Sequence, residues 1–115
     1  MTLKTLRAYC LSKPGTSEEY PFGPEPPVYK VSGRMFALFS TKEAPVRLTL
    51  KLHPLNGQMA RDMYRAVHPG YHMNKEHWNT IELDGTVPEH ELQAWIDESY
   101  DLVVAKLPRA LRGKL

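Results

Sequence analysis

A chain of 115 residues is long enough for one domain, residues 1–115, with a single core that needs no metal or disulfide staple. Apolar residues at 42% and charged residues at 24% exclude global disorder, and a net charge of +2 falls short of the balance of a strongly basic nucleic-acid binder. Cys10 is the only cysteine, no apolar run approaches the ~20 residues that cross a bilayer, and the N-terminus has no signal-peptide pattern, so a cytosolic protein without membrane attachment is expected.

Leu3, Leu6 and Cys10 recur at helical spacing, which predicts a short amphipathic helix capped by Thr2. Lys13 to Pro27 holds five prolines with Gly15 and Gly23 and reads as a long ordered loop, anchored to the body by Tyr20 and Phe22. From Val28 the period changes to two. Val28–Val31, Ser32-Gly33 and Arg34–Ser40 predict a hairpin around a tight turn. A further turn leads to a strand over 46–52, where Val46, Leu48, Leu50 and Leu52 alternate with Arg47, Thr49 and Lys51.

His53-Pro54 ends that strand. Leu55, Met59, Met63 and Val67 follow at helical spacing and predict a buried stripe, although Gly57 weakens the helix by ~1 kcal/mol. Past Pro69-Gly70, a short extended piece over 71–73 turns back at 74–77 into a strand over 78–83. That strand puts Ile81 and Leu83 inward and Trp78, Thr80 and Glu82 on the other side. After Asp84-Gly85, Thr86 and Glu89 have capping-box spacing with Pro88 in the first helical turn. The helix buries Leu92, Ile96, Ser99, Val103 and Leu107, flanked by Trp95 and Tyr100. Pro108 ends it, and 109–112 forms a last basic turn. The order α-β-β-β-α-β-β-α predicts a two-layer α+β fold, an antiparallel sheet with helices on one face and the other face open.

The stretch from Pro69 to Thr80 concentrates two histidines, a lysine, a tryptophan, a tyrosine and two asparagines, a density unlike an ordinary turn. His68, His72 and His77 invite a zinc reading, but their spacing gives no shared helical face and no cysteine lies nearby. Histidines that hydrogen-bond the loop fit better, and neither metal nor cofactor is expected. Cys10 sits on an apolar stripe and reads as core rather than nucleophile. Phosphate-loop, dinucleotide and GxSxG signatures are absent from the sequence, so an enzyme is not expected.

Nucleic acid needs cations for phosphates and aromatic or amide groups for bases. Asn74, Lys75, His77, Trp78 and Asn79 supply them at one sheet end. Arg47 and Lys51 extend them across the open face, where Lys30 also falls. Packing of Trp78 against the body, with the cations merely solvated, explains the same composition.

Tyr20-Pro-Phe-Gly-Pro24, Val31-Ser-Gly-Arg-Met-Phe-Ala-Leu38, Pro69-Gly-Tyr-His-Met-Asn-Lys75, His77-Trp-Asn-Thr80 and Ser99-Tyr-Asp-Leu-Val-Val-Ala-Lys-Leu-Pro108 resemble the MmcQ/YjbR family over essentially the whole chain. The resemblance implies a CyaY-like or secretion-chaperone-like two-layer fold and a small DNA-binding protein with a double wing. On that reading the Ser32-Gly33 hairpin with Arg34, and the turn at Asn74-Lys75, are the wings. Lys30, Arg34, Arg47, Lys51, Lys75, Arg109 and Arg112 then meet phosphates, while His77 and Trp78 meet sugar or bases. The alternative is a protein-interaction module whose open sheet face takes a peptide or a second copy of the chain.

Overall fold

The computed structural model describes residues 3–70, 74 and 76–115. Ten elements follow in order: α1 (Leu3–Leu11), β1 (Thr16–Glu19), β2 (Val28–Val31), β3 (Arg34–Ser40), β4 (Arg47–Lys51), α2 (Pro54–Met63), β5 (Val67–Pro69), β6 (Trp78–Glu82), α3 (Glu89–Ala105) and α4 (Arg109–Arg112). The strands form one antiparallel sheet in the order β1-β2-β3-β4-β6-β5, and the fold is α+β as expected.

Alternation sorts the sheet into two faces. Tyr29, Ala37, Leu50 and Asn79 lie side by side in register, and so do Phe39, Leu48 and Ile81; all are fully buried. The helices cover this face. α1 reaches Tyr29 through Arg7, α2 reaches Asn79 through Arg61, and α3 reaches β3 and β4 through Ser99. The α3 stripe expected from periodicity is buried throughout, from Leu92 through Ile96, Ser99 and Val103 to Leu107 beyond its end. Lys30, Leu38, Arg47, Thr49, Lys51, Trp78, Thr80 and Glu82 fall on the opposite face, against which no helix packs among the described residues. The β2–β3 hairpin turns at Ser32 (φ 49°) and Gly33 (φ 80°), the paired left-handed residues that a two-residue hairpin requires.

Four local expectations are corrected. The proline-rich stretch after α1 contains β1, whose four residues between Gly15 and Pro21 are free of glycine and proline and pair with β2. Averaging composition over 13–27 hides so short an element, and Ser17, Glu18 and Glu19 suit a charged edge strand. Phe22 does not anchor this segment, being 69% exposed; Tyr20 does so only through its hydroxyl, bonded to Arg7 and Glu18.

In α2 the Leu55, Met59 and Met63 stripe faces outward, each residue more than 60% exposed, while Gly57 and Ala60 are buried. The helix rests on β6 so closely that a Cβ at Gly57 would stand 2.9 Å from Asn79 Nδ2. Small residues must therefore face down, and the large ones are turned to solvent. The capping box of α3 does not form. Asp84 Oδ1 instead accepts from both the amide and the hydroxyl of Thr86, at 3.0 and 2.6 Å, and Pro88 becomes the residue before the helix. Thr2 as a cap and the extended piece over 71–73 lie outside the described residues.

Candidate functional site

The β3–β4 ladder runs from Ser40–Arg47 to Ala37–Leu50 and stops there, although β3 begins three residues earlier and β4 continues to Lys51. The next rung is supplied by α3. Ser99 Oγ, fully buried, donates to the Phe36 carbonyl at 2.6 Å and accepts from the Lys51 amide at 2.9 Å. Beyond that hydroxyl the strands part, and the last turns of α3 reach the sheet end.

The result is a cleft of 170 Å³ lined by Arg34, Met35, Lys51, Trp78, Val103 and Lys106. Arg34 comes from the first residue of β3, Lys51 from the last of β4, and Trp78, its register partner, from the first of β6. Lys106 follows α3. No carboxylate lines the cleft, and Arg34, Lys51 and Lys106 form no ion pair among the described residues. Lys51 is held below the ordinary lysine pKa, first by burial and then by the adjacent Lys106 and Arg34 charges. Three cations facing one space, with one losing proton affinity to its neighbours, make a site that an anion would stabilise.

Other sequence-selected cations differ. Lys30 pairs with Glu19 at 3.4 Å and Arg47 with Glu43 at 2.9 Å, so neither offers an uncompensated charge. Arg109 and Arg112 lie exposed on α4, and Leu115, three residues past its end, packs onto Gly15 beside the start of β1. Thr49 and Thr80 face each other across β4 and β6 with hydroxyls 3.3 Å apart, each only 6% exposed, so neither hydroxyl is presented to a ligand.

In the stretch before β6, the Asn74 side chain accepts from the Glu76 amide at 2.9 Å and its carbonyl accepts from Trp78 N at 2.8 Å. Asn74 therefore shapes the turn. His77 is half-buried, and its carbonyl accepts from the Leu52 amide at 2.7 Å. Asn79, counted among the reading groups from sequence, is fully buried under α2. Lys75 and His72 lie outside the described residues.

Lys106 is the residue that the sequence reading missed as part of a site. Its place three residues after buried Val103 put it at the end of the helix, but nothing local says that Lys51 lies opposite. His68 Nε2 lies 2.8 Å from Glu82 Oε2, which occupies it on the open face. Cys10 is fully buried and its thiol is pushed up to about 12 by that burial, so it is no nucleophile at neutral pH. A larger cleft of 320 Å³ opens at the far end of the sheet, but Glu82 and Glu89 line it with apolar side chains, and carboxylates repel phosphate.

The YjbR family profile matches residues 11–102, which includes every residue of the cleft except Val103 and Lys106. YjbR of Escherichia coli K12 is 32% identical over all 115 residues of this chain and 98% of its own length. This chain belongs to the YjbR family. YbdF of Escherichia coli O157:H7 is 33% identical over 92% of the chain and 87% of its own length. A Deinococcus radiodurans protein with a DUF419 domain superposes with a TM-score of 0.91 at 39% identity, covering 98% of this chain and 86% of that one. A Pseudomonas syringae protein superposes at 0.75 and 27% identity, covering 89% and 98%. The YjbR fold is thus shared along nearly the whole chain, and the sequence resemblance to MmcQ/YjbR is upheld.

Proposed function

We propose that this YjbR protein binds DNA through the basic end of its sheet and works as a binder rather than a catalyst. One observation carries the reading: Arg34, Lys51 and Lys106 converge without a carboxylate on a cleft walled by Trp78. The Ser32-Gly33 hairpin is the wing that presents Arg34, and Arg109 and Arg112 add charge on the C-terminal helix. Net charge is modest, yet it is unevenly spread. Glu82 and Glu89 line a cleft at the other end of the sheet, which favours approach to a polyanion by the basic end.

Docking of a protein on the sheet face, the alternative reading, has less support. The hydroxyls of Thr49 and Thr80 at its centre are shielded, and its rim is studded with internally paired charges. The DNA reading is tested by fluorescence anisotropy with a labelled oligonucleotide at low salt, for the native protein and an Arg34→Glu, Lys106→Glu variant. Both positions are exposed. Phosphate-dominated binding predicts that log affinity falls linearly with log salt, and each lost cation reduces the slope by about 1. Absence of binding at low salt, or a variant that binds like the native protein, removes the proposal.

A further inference from the structure

The shape of the cationic cleft narrows what kind of nucleic acid it suits. A duplex backbone is a line of singly charged phosphodiesters on a convex cylinder, and a surface that tracks it spreads its cations along a rail. Here three cations from three different elements face one concave space. The space measures about 170 Å³. That space has room for one phosphate with part of its sugar.

A phosphate monoester carries a charge of about −1.5 to −2 at pH 7 and exposes three acceptor oxygens, whereas a diester carries one charge. Only the monoester comes close to balancing three positive groups around a single point. The cleft also has a flat aromatic wall in Trp78 and apolar patches from Met35 and Val103. An indole beside a phosphate site suits a base stacked one bond system away from its phosphate.

We infer that the cleft formed by Arg34, Lys51, Lys106 and Trp78 binds the terminal phosphate monoester of a single-stranded DNA end, with the end nucleotide against the indole. Arg34 supplies the planar fork for two of the oxygens, and the two lysines act as point charges for the rest. This deepens the DNA-binding reading and rests on it. Lys51 gains most from occupancy, because an anion offsets the Lys106 and Arg34 charges that press on it.

The test measures anisotropy of a single-stranded 12-mer carrying a 5′-phosphate, a 3′-phosphate or hydroxyls at both ends, labelled in its interior. Thymidine monophosphate, thymidine and inorganic phosphate serve as competitors. One phosphorylated form is expected to bind about ten-fold more tightly than the hydroxyl form, the effect of one added charge-assisted contact. Thymidine monophosphate is expected to compete and to change the fluorescence of Trp78, and an Arg34→Gln, Lys106→Gln variant is expected to lose the preference. Equal binding of all three strands overturns the inference and leaves DNA binding intact. No binding of any strand or duplex overturns both. Inorganic phosphate competing as well as thymidine monophosphate overturns the nucleotide part, and the same ten-fold preference in the double variant moves the site elsewhere.

Discussion

Replacing Ser99 with alanine removes one oxygen and tests how α3 holds the sheet open at the site. That oxygen bonds the Phe36 carbonyl at 2.6 Å and the Lys51 amide at 2.9 Å from a position with no solvent exposure. Two hydrogen bonds at a net ~1 kcal/mol each give about 2 kcal/mol, and a buried carbonyl left without a partner adds about 1 more. Alanine returns about 0.5 kcal/mol through its better helix propensity. The expected loss is therefore about 2–3 kcal/mol. At ~2.1 cal/mol/K per residue over 115 residues, each kcal/mol lowers Tm by about 4 °C, so the midpoint falls by about 8–12 °C. Urea titration followed by circular dichroism measures this directly, and the slope should stay unchanged because the surface exposed on unfolding is the same. A loss below about 0.5 kcal/mol refutes the reasoning, since it means that water or a strand shift replaces the hydroxyl freely. The same variant should bind a phosphorylated strand more weakly, because Lys51 sits on the amide that Ser99 fixes.

Two further outcomes follow from the packing. A Met59→Gln, Met63→Gln variant should change stability by no more than about 0.5 kcal/mol, because these residues are 61% and 64% exposed. A buried methionine would cost about 2–5 kcal/mol on truncation, so a loss above 1 kcal/mol in thermal unfolding would mean that α2 packs the other way. On the acid side, Glu18 is held below its ordinary 4.5 chiefly by the Tyr29 hydroxyl, then by Arg7 and Tyr20. Its contribution is present above pH 4.5 and is lost as pH falls through the lower folded value. Glu18→Gln should then lower the urea midpoint at pH 7 and flatten its decline between pH 5 and 2; curves parallel to the native protein would contradict the assignment.

Where local pattern and burial coincide, the chain is legible. Leu48 and Leu50 of β4 and Leu52 just past it alternate and are fully buried, and the three- and four-residue spacing of Leu92, Ile96, Ser99 and Val103 is the core stripe of α3. Ser32-Gly33 marks its own hairpin because two successive residues need positive φ there. Pro108 marks the end of α3 because it cannot continue a helix. Lys51 and Trp78 were recognisable as candidates because each stands at a strand end on the face that alternation leaves outside, and Arg34 because it follows the Ser32-Gly33 turn.

Alternation, however, says only which side a residue takes, not what it meets. Lys30 and Arg47 looked equivalent to Lys51, but they lie beside Glu19 and Glu43. The outward stripe of α2 has the spacing of a core stripe, and only the close seat of Gly57 on Asn79 reverses it. The fold class, the hairpin and the α3 core were thus determined by sequence, since short-range sterics and side-chain periodicity fix them. The cleft was decided by tertiary structure alone. Lys51 and Lys106 are brought together by a serine hydroxyl that joins a helix to two parting strands, and no local pattern encodes a contact across that distance in the chain.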